Sequence, residues 1–368
     1  RDHRAVDPDS HHSAGVTVFA RRAPSPARRL LLILAACAIA VGGCRSVVPV
    51  PPSPSDRSAT AEEPAPLEQR IVVIVHGDAS YLYHDPDGTA READVETLNE
   101  AFAAARAMPR AEVFVFHQRP AHRLLGLFPR DDGTMYHFRR GRLVQTETYD
   151  QDRAEPLSAE ARWVQRHGTA ADSTLFTAAL YYGHALPERS RRGYHRSRPD
   201  VAFGIDGLAR GLQRLSPAGR PFDAVILSTC DGGTPATLAA LAPRARWVVA
   251  SPGDLHLSFV DASLLAAAPT ESPEAWAHSM AERAFDRLAA RTVTAVSLAT
   301  YDTRRAAPVA RRLAQHAVPD TSTAPTGAHH VDCRQVLDVL VDTTGVRVWY
   351  RPPQFGRQAD QQRHSGWG

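Results

Sequence analysis

From Ile71 onward the apolar positions fall into short continuous runs, separated by longer stretches where they recur every three or four residues. Short β-branched or aromatic runs bounded by turn residues read as strands, and the three-to-four-residue recurrence reads as amphipathic helix. Strands are therefore predicted over 71–75, 112–116, 175–182, 222–228, 246–250 and 293–299. Residues 135–149 alternate around Arg140-Gly141, the pattern of a β-hairpin. Helices are predicted over 92–108, 159–167, 205–215, 235–241, 273–289 and 331–340. Buried apolar strands that alternate with helices give an α/β fold, a mostly parallel sheet with helices on both faces.

The front of the chain follows a different pattern. Arg21, Arg22, Arg28 and Arg29 precede an apolar run over 30–43, which is too short to span a bilayer and fits the core of a signal peptide. The run closes on Val41-Gly42-Gly43-Cys44, which resembles a lipobox, so Cys44 is expected to carry lipid after cleavage. An ordinary secretory signal that happens to contain a cysteine is the alternative. Residues 49–66 are rich in proline, which favours extended polyproline. About twenty such residues at ~3.1 Å each would hold a body roughly 60 Å from the membrane. The expected organisation is a signal and upstream segment over 1–43, lipidated cysteine and linker over 44–66, one domain over 67–357, and a polar, disordered tail over 358–368.

Composition narrows the function classes. Hydrophobic residues make up 43% of the 368 and charged residues 23%, as in a globular domain. All 43 basic residues are arginine and the net charge is only +3. The arginines are scattered, without interleaved aromatics, so nucleic acid is not an expected partner. No internal repeat is visible, and a monomer is expected.

Cys37 leaves with the signal and Cys44 takes lipid, which leaves Cys230 and Cys333 in the body. In an oxidising compartment they either form a disulfide or leave one working thiol. Ligands of an open α/β sheet gather beyond the carboxyl ends of its strands. His184 follows one predicted strand and Cys230 another, with a single helix, 205–215, as the crossover between them. Gly232 and Gly233 permit a tight turn, Thr234 is placed to cap the next helix, and Pro235 suits its first position. A thiol beside that helix start is favoured as thiolate, whereas adjoining Asp231 opposes it. His184 would serve as base, with the backbone N–H groups of Ala185 and Cys230 as an oxyanion hole.

These residues and the order of the elements resemble the clostripain family of cysteine peptidases, which have a caspase-like fold. The resemblance runs from about Ile71 to Gly356 and includes Trp247-Val248-Val249-Ala250-Ser251 and Trp349-Tyr350-Arg351-Pro352-Pro353-Gln354-Phe355-Gly356. It implies His184 as catalytic base, Cys230 as nucleophile and a peptide or protein as substrate. Two departures are plain. The family's His-Gly is replaced by Gly183-His184-Ala185, and its acidic pocket residue two positions before the cysteine is Ser228. A neutral hydroxyl offers no charge pairing for a basic substrate side chain. Asp254 is an alternative source of acid for that pocket, and Arg191-Arg192 is either a self-processing site or an exposed loop.

The expectation is thus a membrane-tethered cysteine endopeptidase of the cell envelope, with the outer membrane favoured because Arg45 follows the lipidated cysteine. A non-catalytic relative that binds peptides is the first alternative. An esterase of the α/β-hydrolase type is the second: Val75-His76-Gly77-Asp78 resembles an oxyanion segment, but the required Gly-x-Ser-x-Gly is missing. His76 is then read as a polar strand-end residue lining the same cleft. No metal or other cofactor is expected, and calcium is the one ion that the family resemblance leaves open. The loop His84-Asp85-Pro86-Asp87-Gly88 reads as a turn, and His329-His330 as loop residues.

Overall fold

Five consecutive β-branched residues, Ile71 to Val75, are all fully buried, which requires cover on both faces of their strand. This computed structural model describes residues 65–367 apart from short stretches, the longest being 171–174, 256–259, 267–271, 338–344 and 355–362. The expected signal segment, Cys44 and nearly all of the proline-rich linker lie outside the described residues.

In chain order the main sheet uses β1 (Gln69–His76), β2 (Ala111–Gln118), β3 (Gly133–Arg139), β4 (Arg142–Tyr149), β5 (Phe176–Tyr182), β6 (Phe222–Ser228), β7 (Ala245–Ala250), β8 (Val296–Asp302), β9 (Gly327–His330) and β10 (Val346–Arg351). These ten strands lie in the order β9-β10-β8-β7-β6-β5-β1-β2-β3-β4. The five central strands, from β7 to β2, are parallel. The strands outside them join antiparallel. At the β3–β4 hairpin Arg140 (φ 55°) and Gly141 (φ 76°) both take the left-handed conformation that a two-residue hairpin turn needs.

Seven helices complete the layers among the described residues: α1 (Ala93–Arg106), α2 (Ser158–His167), α3 (Ile205–Leu215), α4 (Pro235–Leu241), α5 (Pro273–Arg291), α6 (Thr303–Leu313) and α7 (Cys333–Leu337). Val72 and Ile74 join a core with residues of α2, α3, α4 and α6. Ile71, Val73 and Val75 join a second core with α1 and α5. Alternation along one strand thus feeds two cores, and the result is the expected α/β/α sandwich. No described helix is long and apolar enough to cross a membrane.

Several boundaries differ from expectation. The strand expected over 293–299 is β8, Val296–Asp302, and α6 starts directly from its last residue, with Asp302 accepting from Arg304 N–H as cap. Pro308 inside α6 disguises that helix in the sequence. His329 and His330 lie in strand β9 rather than a loop, a strand of Gly, Ala and His with no β-branched signal. The polar tail is not wholly disordered: Arg363–His364 pairs with Ser322–Thr323, and Trp367 is fully buried against Tyr301. Strand pairing, the Tyr301–Gly366 hydrogen bond and the burial of Trp367 together dock a segment whose composition is otherwise polar.

Candidate active site

The parallel register aligns the two residues expected to carry chemistry. Tyr182 of β5 stands opposite Ser228 of β6, and Gly183 N–H donates to Ser228 O at 3.2 Å, which extends the ladder by one bond. His184 and Cys230 are each two residues beyond that matched pair, so both project from the same edge of the sheet.

Cys230 is half-buried, and its Sγ lies 3.3 Å from Leu255 O and 3.3 Å from Leu255 N, donating to the first and accepting from the second. Asp231 N–H donates to Gly253 O at 2.9 Å and Gly233 N–H to Ser251 O at 2.8 Å, so the loop after β7 is laced to the loop after β6. The turn differs from the expected one in how it uses its residues. Asp231, at φ 50°, takes the left-handed conformation, whereas Gly232 and Gly233 serve close approach. A Cβ on Gly233 would lie 3.0 Å from Pro252 Cα and would also strike the Tyr301 hydroxyl. Partial burial, and then the charge of Asp254, push the Asp231 carboxyl above its ordinary range. Thr234 caps α4 as expected, accepting from Thr237 N–H at 3.2 Å, with Pro235 in the first turn. That helix has only seven residues, so its field at Cys230 is weak.

His184 is exposed, with its ring 4.1 Å from that of Tyr81, which packs in turn on Tyr182 at 5.3 Å. Its carbonyl accepts from the Tyr194 hydroxyl at 3.1 Å. Ala185 is exposed beside it. Ser228 is fully buried, and its Oγ accepts from Val260 N–H at 2.6 Å. Asp254 is exposed on the loop that carries Leu255.

The cysteines are both free and belong to different cores. Cys230 packs against the face covered by α1 and α5, and Cys333 lies buried on the other. The disulfide weighed from the sequence is therefore not formed. Burial, and then neighbouring Asp332, push the Cys333 thiol up to about 11.

Sequence reasoning missed one cluster altogether. His76 does not line an open cleft: it is fully buried, and with Asp78 and His195 it forms the one group among the described residues whose donor atoms converge as metal ligands do. Burial, followed by His76 and Arg198, holds the His195 imidazole down to about 3, and burial likewise lowers His76. No spacing motif links His195 to β1, so only the fold could reveal the group.

No protein-family model and no curated protein matches the chain. Among solved structures it is similar to a secreted C11 cysteine protease from Bacteroides thetaiotaomicron in complex with an irreversible peptide inhibitor. The identity is 15% and the TM-score 0.51, over 73% of this chain and 77% of that one. An inactive zymogen C11 protease from Parabacteroides distasonis is more distant, at 14% identity and TM-score 0.48 over 72% and 73% of the two chains. Likeness at this identity speaks to the fold, and the fold of this chain is that of the clostripain-type C11 cysteine proteases.

Proposed function

We propose that the protein is a cysteine endopeptidase of the cell envelope, with His184 as general base and Cys230 as nucleophile. The observation that carries this reading is the common register of β5 and β6, which brings imidazole and thiol to one sheet edge. In the proposed reaction His184 takes the Cys230 proton, and Sγ attacks the scissile carbonyl carbon. The resulting oxyanion accepts hydrogen bonds from the N–H groups of Cys230 and Ala185. Collapse breaks the C–N bond, and His184 returns the proton to the leaving amine. Water, deprotonated by His184, then releases the acyl group and regenerates the thiol.

With Ser228 in the pocket position, selection of a basic side chain would depend on Asp254, and a neutral side chain is otherwise accepted. Tethering through lipid on Cys44, in the outer membrane, completes the proposal: it rests on the apolar run, the small residues before that cysteine and the proline-rich stretch after it.

Peptide-library hydrolysis by the purified full chain tests the reading. Cleavage should fall at least about a thousandfold in Cys230→Ala and in His184→Ala, and Asp254→Asn should change the residue accepted beside the cut. Equal hydrolysis by parent and Cys230→Ala would assign the activity to something else. A complete lack of cleavage, with a thiol inert to peptidyl electrophiles, would leave a peptide-binding protein on a peptidase fold.

A further inference from the structure

We infer that His76, Asp78 and His195 form a binding site for one divalent first-row transition-metal ion, with zinc the ion their donor set fits best. One donor atom from each residue lies within 4.8 Å of the other two. The residues are 0%, 2% and 8% exposed, so the group is sealed from solvent.

The orientation of His76 is determined by what stands behind it. Its Nδ1 lies 3.0 Å from Gln118 Oε1, and Gln118 Nε2 donates to Glu160 Oε1 at 2.9 Å. The same Glu160 oxygen accepts from the Tyr149 hydroxyl at 2.6 Å. An oxygen that accepts twice fixes the Gln118 amide with its NH2 toward Glu160, and therefore its carbonyl toward His76. The proton of the neutral ring is then on Nδ1 and the lone pair on Nε2. Nε2 is fully buried and has no hydrogen-bond partner among the described residues, and one ring nitrogen of His76 converges with donor atoms of Asp78 and His195. A buried acceptor of this kind calls for a partner, and metal-ligating histidines typically donate their other N–H to such an outer group.

Two imidazole nitrogens and one carboxylate oxygen suit zinc or a neighbouring divalent ion. Calcium takes six to eight oxygen ligands, which this group cannot supply. Tetrahedral zinc with ligands at about 2.0–2.1 Å would bring donor atoms to about 3.3 Å apart, so the three close inward on binding. His76 stands at the rigid end of β1, while Asp78 and His195 lie on connecting segments that can make that adjustment.

The position gives the ion a role. His195 belongs to the segment between β5 and α3, the same segment that carries His184 near its start. Its neighbour Tyr194 stacks on His76 at 5.2 Å with planes 21° apart, and donates to the His184 carbonyl. An ion held by His76, Asp78 and His195 clamps that segment to the central sheet and fixes the backbone at His184. It is a structural clamp, and it stands whether or not His184 is catalytic.

The test uses the full chain, without a polyhistidine tag and carrying Cys230→Ala so that this half-buried thiol cannot bind metal. After chelation and dialysis it is titrated with Zn2+ against a chromophoric chelator, and separately with Co2+ by visible absorption. One equivalent should bind with the intense visible bands of four-coordinate Co2+, and Zn2+ but not Ca2+ should raise the melting temperature. His195→Ala and Asp78→Asn should each weaken that equivalent by at least about a hundredfold, and Gln118→Leu by about tenfold. Should His195→Ala fail to fold by circular dichroism, Asp78→Asn decides. Unchanged stoichiometry and affinity in a folded variant, or a melting temperature unmoved by Zn2+, would overturn the assignment.

Discussion

Arg70 and Glu112 stand directly opposite each other near the starts of β1 and β2, at the end of the sheet remote from Cys230. Both are almost wholly buried, with Arg70 Nε and Nη2 donating to Glu112 Oε2 at 2.9 and 2.6 Å. Burial alone would raise the Glu112 carboxyl. The His137 hydrogen bond, the Arg70 charge and Thr169 N–H outweigh it and hold the group at about 2. A carboxyl depressed in the folded state adds stability that is complete above its ordinary value of 4.5 and is lost as the pH falls through about 2. Denaturant titrations stepped between those limits should show stability declining with acid, and Glu112→Gln should flatten that decline. The same variant leaves a buried guanidinium without its partner and should cost about 3–5 kcal/mol at neutral pH, read from urea unfolding. At this scale the sequence was informative about placement wherever a candidate residue follows a strand end, as for His184 and Cys230, which lie at one edge of the sheet. It was uninformative where the partner is distant, as for His195. It placed the tight turn and the capped helix after Cys230 but not which turn residue is left-handed, because left-handed backbone at Asp231 and crowding at Gly233 look alike in a string of letters.

Helices α2 and α3 meet through an exchange of size. Leu157 precedes α2 in a left-handed conformation, φ 59°, and is buried against α3 at Gly211. A Cβ on Gly211 would lie 2.6 Å from Leu157 Cδ1 and 2.8 Å from its Cβ. In isolation Gly→Ala in a helix gains up to about 1 kcal/mol. Here the overlap dominates, and Gly211→Ala should destabilise by about 1–3 kcal/mol in thermal or chemical unfolding. A gain in stability would mean that Leu157 relaxes at little cost. Elements with strong period, such as 205–215 and 222–228, were legible to the residue because burial on one face or both imposes that period. Edge strand β9 and helix α6 were not, since a two-sided apolar run is absent from one and a proline interrupts the other.

For the whole molecule, the C-terminal segment acts as a plug. Trp367 packs on Tyr301, whose hydroxyl donates to Gly366 O at 2.8 Å, and Cys333 is buried in the same core. Deleting residues 359–368 should lower the melting temperature and make Cys333 react with a thiol reagent under native conditions. Trp367→Ala should do the same, at about 3–5 kcal/mol. An unreactive Cys333 in both variants would show that the plug is dispensable. The matched register of β5 and β6 has a further consequence, for how such chains can change in length. Residues added to or removed from the α3 crossover alter a connection and leave the paired edge untouched. A single insertion between Phe176 and Tyr182, or between Phe222 and Ser228, would shift His184 or Cys230 by about 3.3 Å along its strand direction and turn the intervening side chains from one core to the other. Natural length variation should therefore collect in the connecting segments and spare these two strands, whose lengths can change only together.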